Sequence, residues 1–403
     1  MMKKQLITVL WLALMATACA QPGAPASGQL PESQTSLRTG AERLETYLPE
    51  LAGKRVALCG NQTSVVGNTH LVDTLLASKV NLLKLFCPEH GFRGQAEAGA
   101  TIASGKDPKT GLPVVSLYGK NKKPTAEQLQ NVDVILFDLQ DVGCRFYTYI
   151  STLHYVMEAA AENGVRVIVL DRPNPNGFYV DGPVLEPQYK SFVGMHPVPV
   201  VYGMTIGEYA RMINGEKWLA NGVQCDLSVV KLEGYTHATH YDLPVAPSPN
   251  LKTPEAVYLY PSLCLFEGTN VSVGRGTELP FEMYGAPGMQ AGDYRFTPHA
   301  IPGVSENPPF KDQECRGRLL VLGDRWKTHT SGSFELRYLL DAYWSCSDKT
   351  SFFLKNNFFD KLAGTDQLRK QIIAGTSEKE IRASWQPELD RFKEIRAKYL
   401  LYE

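Results

Sequence analysis

"VDVILFDL", residues 132–139, is apolar at nearly every position instead of at every second one. A strand with one wet face alternates; a run of this kind belongs to a strand covered on both faces, as in parallel sheets. The same character recurs outward from it in "RVALCG" (55–60), "NLLKLFC" (81–87), "PVVSLYG" (113–119) and "VRVIVLD" (165–171). Helical spacing fills the intervals at "THLVDTLLAS" (69–78), "TAEQLQN" (125–131) and "YISTLHYVMEAAAEN" (149–163). Strands alternating with helices predict an α/β fold on a parallel sheet laid out as βαβ units.

In such sheets ligands gather beyond the carboxyl ends of the strands. Polar residues follow the runs there: Asn61, Gln62, Thr63 and Ser64 after the first, Glu89, His90 and Arg93 after the second, Asp138, Gln140, Asp141 and Arg145 after the fourth, and Asp171, Arg172, Asn174 and Asn176 after the fifth. Capping or turn chemistry explains any one group; four along one sheet edge predict a polar site. Nucleotide loops are missing. "CGNQTSVVGN" has no G-x-G-x-x-G, and the Gly-Lys of "GATIASGKD" (99–107) is misspaced, with Asp107 in place of the magnesium-binding Ser or Thr. No G-x-S-x-G elbow is present either. His237 and His240, in "THATH", lack the H-E-x-x-H spacing of a zinc helix, so they read as a structural or solvated pair. No cofactor and no metal are predicted.

The chain has 403 residues, 43% of them hydrophobic, enough for two domains or one elaborated α/β domain. Its 41 basic and 42 acidic residues form no basic stripe, which argues against nucleic acid as a partner. Lys3 and Lys4, the apolar run Leu6 to Met15 and small residues up to Cys19 read as an export leader (1–20). Cleavage before Cys19 would give a lipoprotein; cleavage after Ala18 or Ala20 would give a soluble exported protein, so the expected location is periplasmic or outer-membrane-anchored. Residues 21–44 begin rich in Pro, Gly, Ser and Gln and read as a tether. Later runs fall short of the ~18 apolar residues needed to span a bilayer, leaving the N-terminus as the membrane attachment. The eight cysteines contain no C-x-x-C pair and read mainly as core thiols.

Further along, Thr205 and Glu208 in "PVVYGMTIGEYARMINGE" (199–216) form a capping box. "PVAPSPNLKTPEAVYLYP" (244–261) reads as a stiff proline loop around Ser248 and Asn250. "LFEGTNVSVGRGTELPFEMYGAPG" (265–288) is glycine-rich, and its Glu267, Asn270, Arg275, Thr277, Glu278 and Glu282 are expected to be exposed or to line a cleft. Beyond residue 310 a strand at "GRLLVLG", a helix at "GSFELRYLLDAYWSC" and a C-terminal helix pair broken near Pro387 are predicted.

Taken in order, "FCPEHGFRG", "DVILFDLQDVGCRFYTY", "VLDRPNPNG", "VYGMTIGE", "APSPN", "YPSLCLFEGTNVSVGRGTELPFE" and "GAPG" resemble the NamZ family of bacterial exo-β-N-acetylmuramidases over about residues 45–403. The resemblance implies a Rossmann-like catalytic domain (45–255), a smaller α+β domain (256–403) and an active-site cleft between them. It implies release of N-acetylmuramic acid (MurNAc) from non-reducing ends of muropeptides or of MurNAc–GlcNAc disaccharide in cell-wall turnover, without a nucleotide cofactor. The alternative is a non-catalytic envelope lipoprotein that binds muropeptides or other glycans. The family's Pro-Glu-His-Gly glutamate falls on Glu89. Glycoside hydrolysis needs a proton for the leaving oxygen and negative charge beside an oxocarbenium-like transition state. Glu89 is accordingly expected to be the general acid and His90 to orient it. Asp138, then Glu278, are the expected second carboxylates, unless the substrate's own acetamido oxygen attacks. The lactyl carboxylate of MurNAc needs a cation, for which Arg93, Arg145 and Arg275 are candidates. Asn61, Gln140, Tyr147, Arg172, Asn250 and Glu267 complete the expected sugar-binding set.

Overall fold

In the computed structural model, residues 36–93, 104–320 and 332–403 are described. The expected leader, Cys19 and the tether as far as residue 35 lie outside them, as does the end of the strand expected at 317–323. The strands run β1 (Arg55–Gly60), a small hairpin of β2 (Val65–Val66) and β3 (Thr69–His70), β4 (Asn81–Cys87), β5 (Gly105–Lys106), β6 (Pro113–Ser116), β7 (Val134–Asp138), β8 (Arg166–Leu170) and β9 (Leu227–Val230). All but the hairpin join one seven-stranded sheet, ordered β5-β6-β4-β1-β7-β8-β9. Its pairings are parallel except for the antiparallel edge strand β5.

Both faces of this sheet are covered, which is why its strands are apolar throughout. Ala57, Cys59, Phe86, Ile135, Phe137, Val167 and Val169 join one apolar cluster, together with residues of the helices α3 (Ala126–Leu129), α4 (Tyr149–Glu162) and α5 (Ile206–Gly215). Val56, Leu58, Leu85, Cys87, Leu136, Ile168 and Leu170 join another, with α1 (Leu44–Leu51) and α2 (Leu71–Ala77). Each large side chain so buried contributes about 1.5–3 kcal/mol, an upper figure because the unfolded chain is itself partly compact.

The first cluster continues into Tyr260, Leu263, Phe281, Phe334, Phe352 and Trp385, so residues 36–403 form one compact unit. The C-terminal part carries a smaller antiparallel sheet, with β12 (Cys315–Leu319) between β10 (Met283–Ala286) and β11 (Tyr294–Phe296). The seven described cysteines are free thiols, six of them buried. No helix among the described residues is long and apolar enough to cross a membrane.

The structure departs from the sequence-based expectations in four places. Order begins ahead of residue 45: Arg38 pairs with Glu233 at 2.8 Å, and the Gly40 N–H donates to the Asp171 carbonyl at 2.8 Å. The proline loop at 244–261 ends in a helix, Pro254–Leu263, capped by the Thr253 hydroxyl and begun by a proline in the first turn, where the N–H groups have no intrahelical acceptor. The helix Glu378–Ala397 runs unbroken through Pro387, because Ile381, Trp385, Leu389 and Phe392 bury one continuous stripe on both sides of it. β9 carried no clear strand signal, being short and only partly buried.

Candidate active site

β4 ends at Cys87, and Pro88, with no N–H to donate, stops the ladder there. His90 (φ 71) and Gly91 (φ 77) are both left-handed, a conformation that costs a non-glycine residue about 1–3 kcal/mol and persists only where packing imposes it. His90 is 4% exposed, and the turn it makes places Glu89, half-buried, on the wall of a cavity of about 180 Å³. The Thr148 hydroxyl, just ahead of α4, donates to Glu89 Oε2 at 3.0 Å. Tyr118 hydrogen-bonds the same carboxylate; burial, with the Glu89 charge beside it, pushes its phenol well up, so it stays a donor.

The inner wall is aromatic. Tyr147 and Tyr149 lie 4.7 Å apart, and both hydroxyls donate to the Pro247 carbonyl, at 2.8 and 3.2 Å. Tyr260 packs edge-on against Phe146, Tyr147 and Phe281 at 5.4, 5.8 and 5.1 Å. Across the same cavity Arg275 Nε donates to Glu267 Oε1 at 2.6 Å, with the guanidinium 5.1 Å from the Phe281 ring centre. Arg275 stands between left-handed Gly274 and Gly276; a Cβ on Gly276 would come within 2.5 Å of the His299 carbonyl oxygen. Among the described residues, its terminal nitrogens have no protein acceptor. Glu267, Arg275 and Phe358 also line an adjoining chamber of about 520 Å³.

Of the residues expected from sequence, Glu89, His90, Tyr147, Glu267 and Arg275 therefore share one cavity. The others are held away from it. Asp138 is fully buried and gives both oxygens to Arg172, from Nε at 2.5 Å and Nη2 at 2.8 Å, so this pair ties strand ends together instead of facing a ligand. Glu278 is exposed and off the cavity wall. The Arg93 fork closes on Asp107 at 3.0 and 2.9 Å. Arg145 is fully buried, its pKa lowered to about 9 by burial, and it donates to the carbonyls of Pro183, Val198, Leu362 and Ala363 at 2.6–2.9 Å. Gln140 bonds the Asp141 and Pro173 carbonyls, and Asn250 the Val304 carbonyl. Asn61 stands one layer back, donating to the Tyr149 hydroxyl at 2.7 Å. Glu282 is buried and accepts from the Thr253 hydroxyl at 2.6 Å.

The cavity residues that the sequence did not single out include Tyr118, Thr148 and Phe192. The first two stand at a strand end and a helix start, where the sheet-edge rule points; nothing in the sequence marks Phe192. Among the described residues no group of three or more His, Cys, Asp or Glu side chains could hold a metal. His237 instead bonds Glu208 at 2.9 Å.

Two family models match this chain, the N-terminal and C-terminal parts of exo-β-N-acetylmuramidase NamZ, over residues 56–255 and 258–402. It is 43% identical to the peptidoglycan β-N-acetylmuramidase NamZ of Bacillus subtilis (strain 168), across 97% of each chain. Two crystal structures of DUF1343 family proteins from Bacteroides fragilis resemble it. One has a TM-score of 0.84 at 47% identity, covering 92% of this chain and 99% of the other. The second has a TM-score of 0.73 at 32% identity, covering 91% and 99%.

Proposed function

Because the chain belongs to the NamZ family of exo-β-N-acetylmuramidases, we propose that it releases MurNAc from the non-reducing end of peptidoglycan fragments, with Glu89 as the general acid. The observation that carries this proposal is a strand-end carboxyl group, bonded by the hydroxyls of Thr148 and Tyr118, on the wall of an aromatic-lined cavity. Such a wall suits the C–H faces of a pyranose, and the carboxyl group can deliver a proton to the glycosidic oxygen. His90 fixes the turn that aims it.

Glu267 takes the place first given to Asp138 and Glu278. It is the second carboxylate on the wall, available to stabilise an oxocarbenium-like transition state or to orient the substrate's acetamido group. Arg275, bonded to Glu267 through Nε alone, has its terminal N–H groups for the lactyl carboxylate. The strand order β6-β4-β1-β7-β8-β9 supports a Rossmann-like first domain. Cavity walls drawn from both family-model segments support a cleft between two domains divided near residue 255. Export, with or without a lipid on Cys19, follows from the N-terminal leader pattern.

The test is MurNAc release from MurNAc–GlcNAc disaccharide, read by mass spectrometry, with wild type beside Glu89→Gln. Wild-type release with a loss of about 10²-fold or more in the variant is expected. Equal release by both moves the acid elsewhere. Binding without release by either makes the protein a muropeptide-binding lipoprotein.

A further inference from the structure

We infer that Phe192 and Lys122 form the subsite for the leaving sugar, a neutral N-acetylated amino sugar, on the outer side of Glu89; this rests on the muramidase function proposed above. The leaving oxygen must come within hydrogen-bond reach of Glu89, so the sugar attached to it lies against whatever adjoins Glu89 on its open side. Inward of Glu89 stand Tyr147 and Tyr149, 6% and 1% exposed. Outward stand Tyr118, bonded to the Glu89 carboxylate, and Phe192, whose ring centre is 6.1 Å from that of Tyr118; both are half-buried and line the cavity.

Phe192 is fixed before any ligand arrives. It sits in a tight turn closed by Ser191 and Gly194, whose N–H groups donate to each other's carbonyls at 2.8 and 3.1 Å. The Ser151 hydroxyl donates to the Phe192 carbonyl at 2.8 Å, and Tyr155 stacks on its ring at 6.3 Å. Lys122 Nζ lies 4.5 Å from the ring centre. Its neighbour Lys123 is bound to Glu158 and Glu162 at 2.8 and 2.7 Å, but among the described residues Lys122 has no hydrogen-bond or ion-pair partner. Half-buried Lys122, its ammonium over an aromatic ring of the cavity wall, offers donors for the oxygens of a pyranose, and the ring an apolar surface for it.

Lys122→Met keeps the stem and removes the donors. Its kcat/KM for MurNAc–GlcNAc should fall about tenfold or more, and that for 4-nitrophenyl β-MurNAc, whose leaving group has no hydroxyls, by less than about threefold. Phe192→Ala should also lower kcat/KM for the disaccharide by about tenfold. Competitive inhibition by free MurNAc, which occupies only the inner cavity, should be unchanged in both variants. Equal losses on the two substrates in Lys122→Met, weakened MurNAc inhibition, or disaccharide turnover within about twofold of wild type in both variants would overturn the assignment. A wild-type protein that releases MurNAc from neither substrate fails at the proposed function itself and takes this subsite with it.

Discussion

Asp138→Asn separates a structural carboxylate from a catalytic one. In the native protein the Asp138 and Arg172 side chains are 0% and 2% exposed, and two hydrogen bonds join them. Removing one charge leaves the other buried without compensation, a change that costs about 3–5 kcal/mol. At ~2 °C per kcal/mol for a chain this large, the melting temperature should fall by ~6–10 °C. Calorimetry supplies that number, and MurNAc release at 20 °C, well below the transition, supplies turnover of the folded fraction, which should stay close to wild type. A paired Asp138→Leu, Arg172→Met protein should regain stability relative to Asp138→Asn, since an apolar pair needs no desolvated charge. A variant with wild-type melting behaviour and collapsed turnover would refute this reasoning and return Asp138 to the catalytic role its sequence position suggested.

Two further outcomes follow. Arg275→Met should lower kcat/KM for MurNAc-terminated substrate about tenfold or more while affecting a GlcNAc-terminated analogue much less, as competition assays would show; equal losses would remove Arg275 from lactyl recognition. Burial pushes the Asp171 carboxyl up to about 7, with Glu208 close by, although Tyr402, Gly207 and Thr205 donate to it. The folded state therefore holds this proton where the unfolded state has lost it. The Asp171 contribution to stability is full below the unfolded carboxyl value of about 3.9 and declines as pH rises towards about 7. The difference in unfolding free energy between wild type and Asp171→Asn, measured from pH 4 to 8, should change in that direction; a flat difference would contradict it.

The sheet could be read from sequence because burial on both faces leaves continuous apolar runs, and its carboxyl edge was rightly picked out as polar. Which edge residues face the cavity could not be read, because their partners lie far along the chain. Asp138, Arg93 and Glu89 have the same local character: polar, and next to a strand end. Arg172, 34 residues on, claims Asp138, and Asp107, 14 residues on, claims Arg93, while Glu89 meets hydroxyls at the cavity wall. Thr253 followed by Pro254 carries a helix-start signal that the reading of residues 244–261 as a proline loop passed over. Phe192 reaches the cavity through a turn that local spacing does not encode.

Arg145 shows how such a distant partner still serves the site. Two of its acceptors, Pro183 and Val198, belong to the first family segment, and the other two, Leu362 and Ala363, close the helix Phe358–Ala363 in the second. The last carbonyls of a helix lack intrahelical donors and carry the negative end of its dipole, so a buried guanidinium is well placed there without a carboxylate. The same helix presents Phe358 and Leu362 to the cavity, and left-handed Gly364, just after it, leaves room for Arg145: a Cβ there would lie 2.6 Å from Nη2. Arg145 thus ties residues 183 and 198 of the first segment to the helix that carries Phe358, and does so through carbonyl contacts alone.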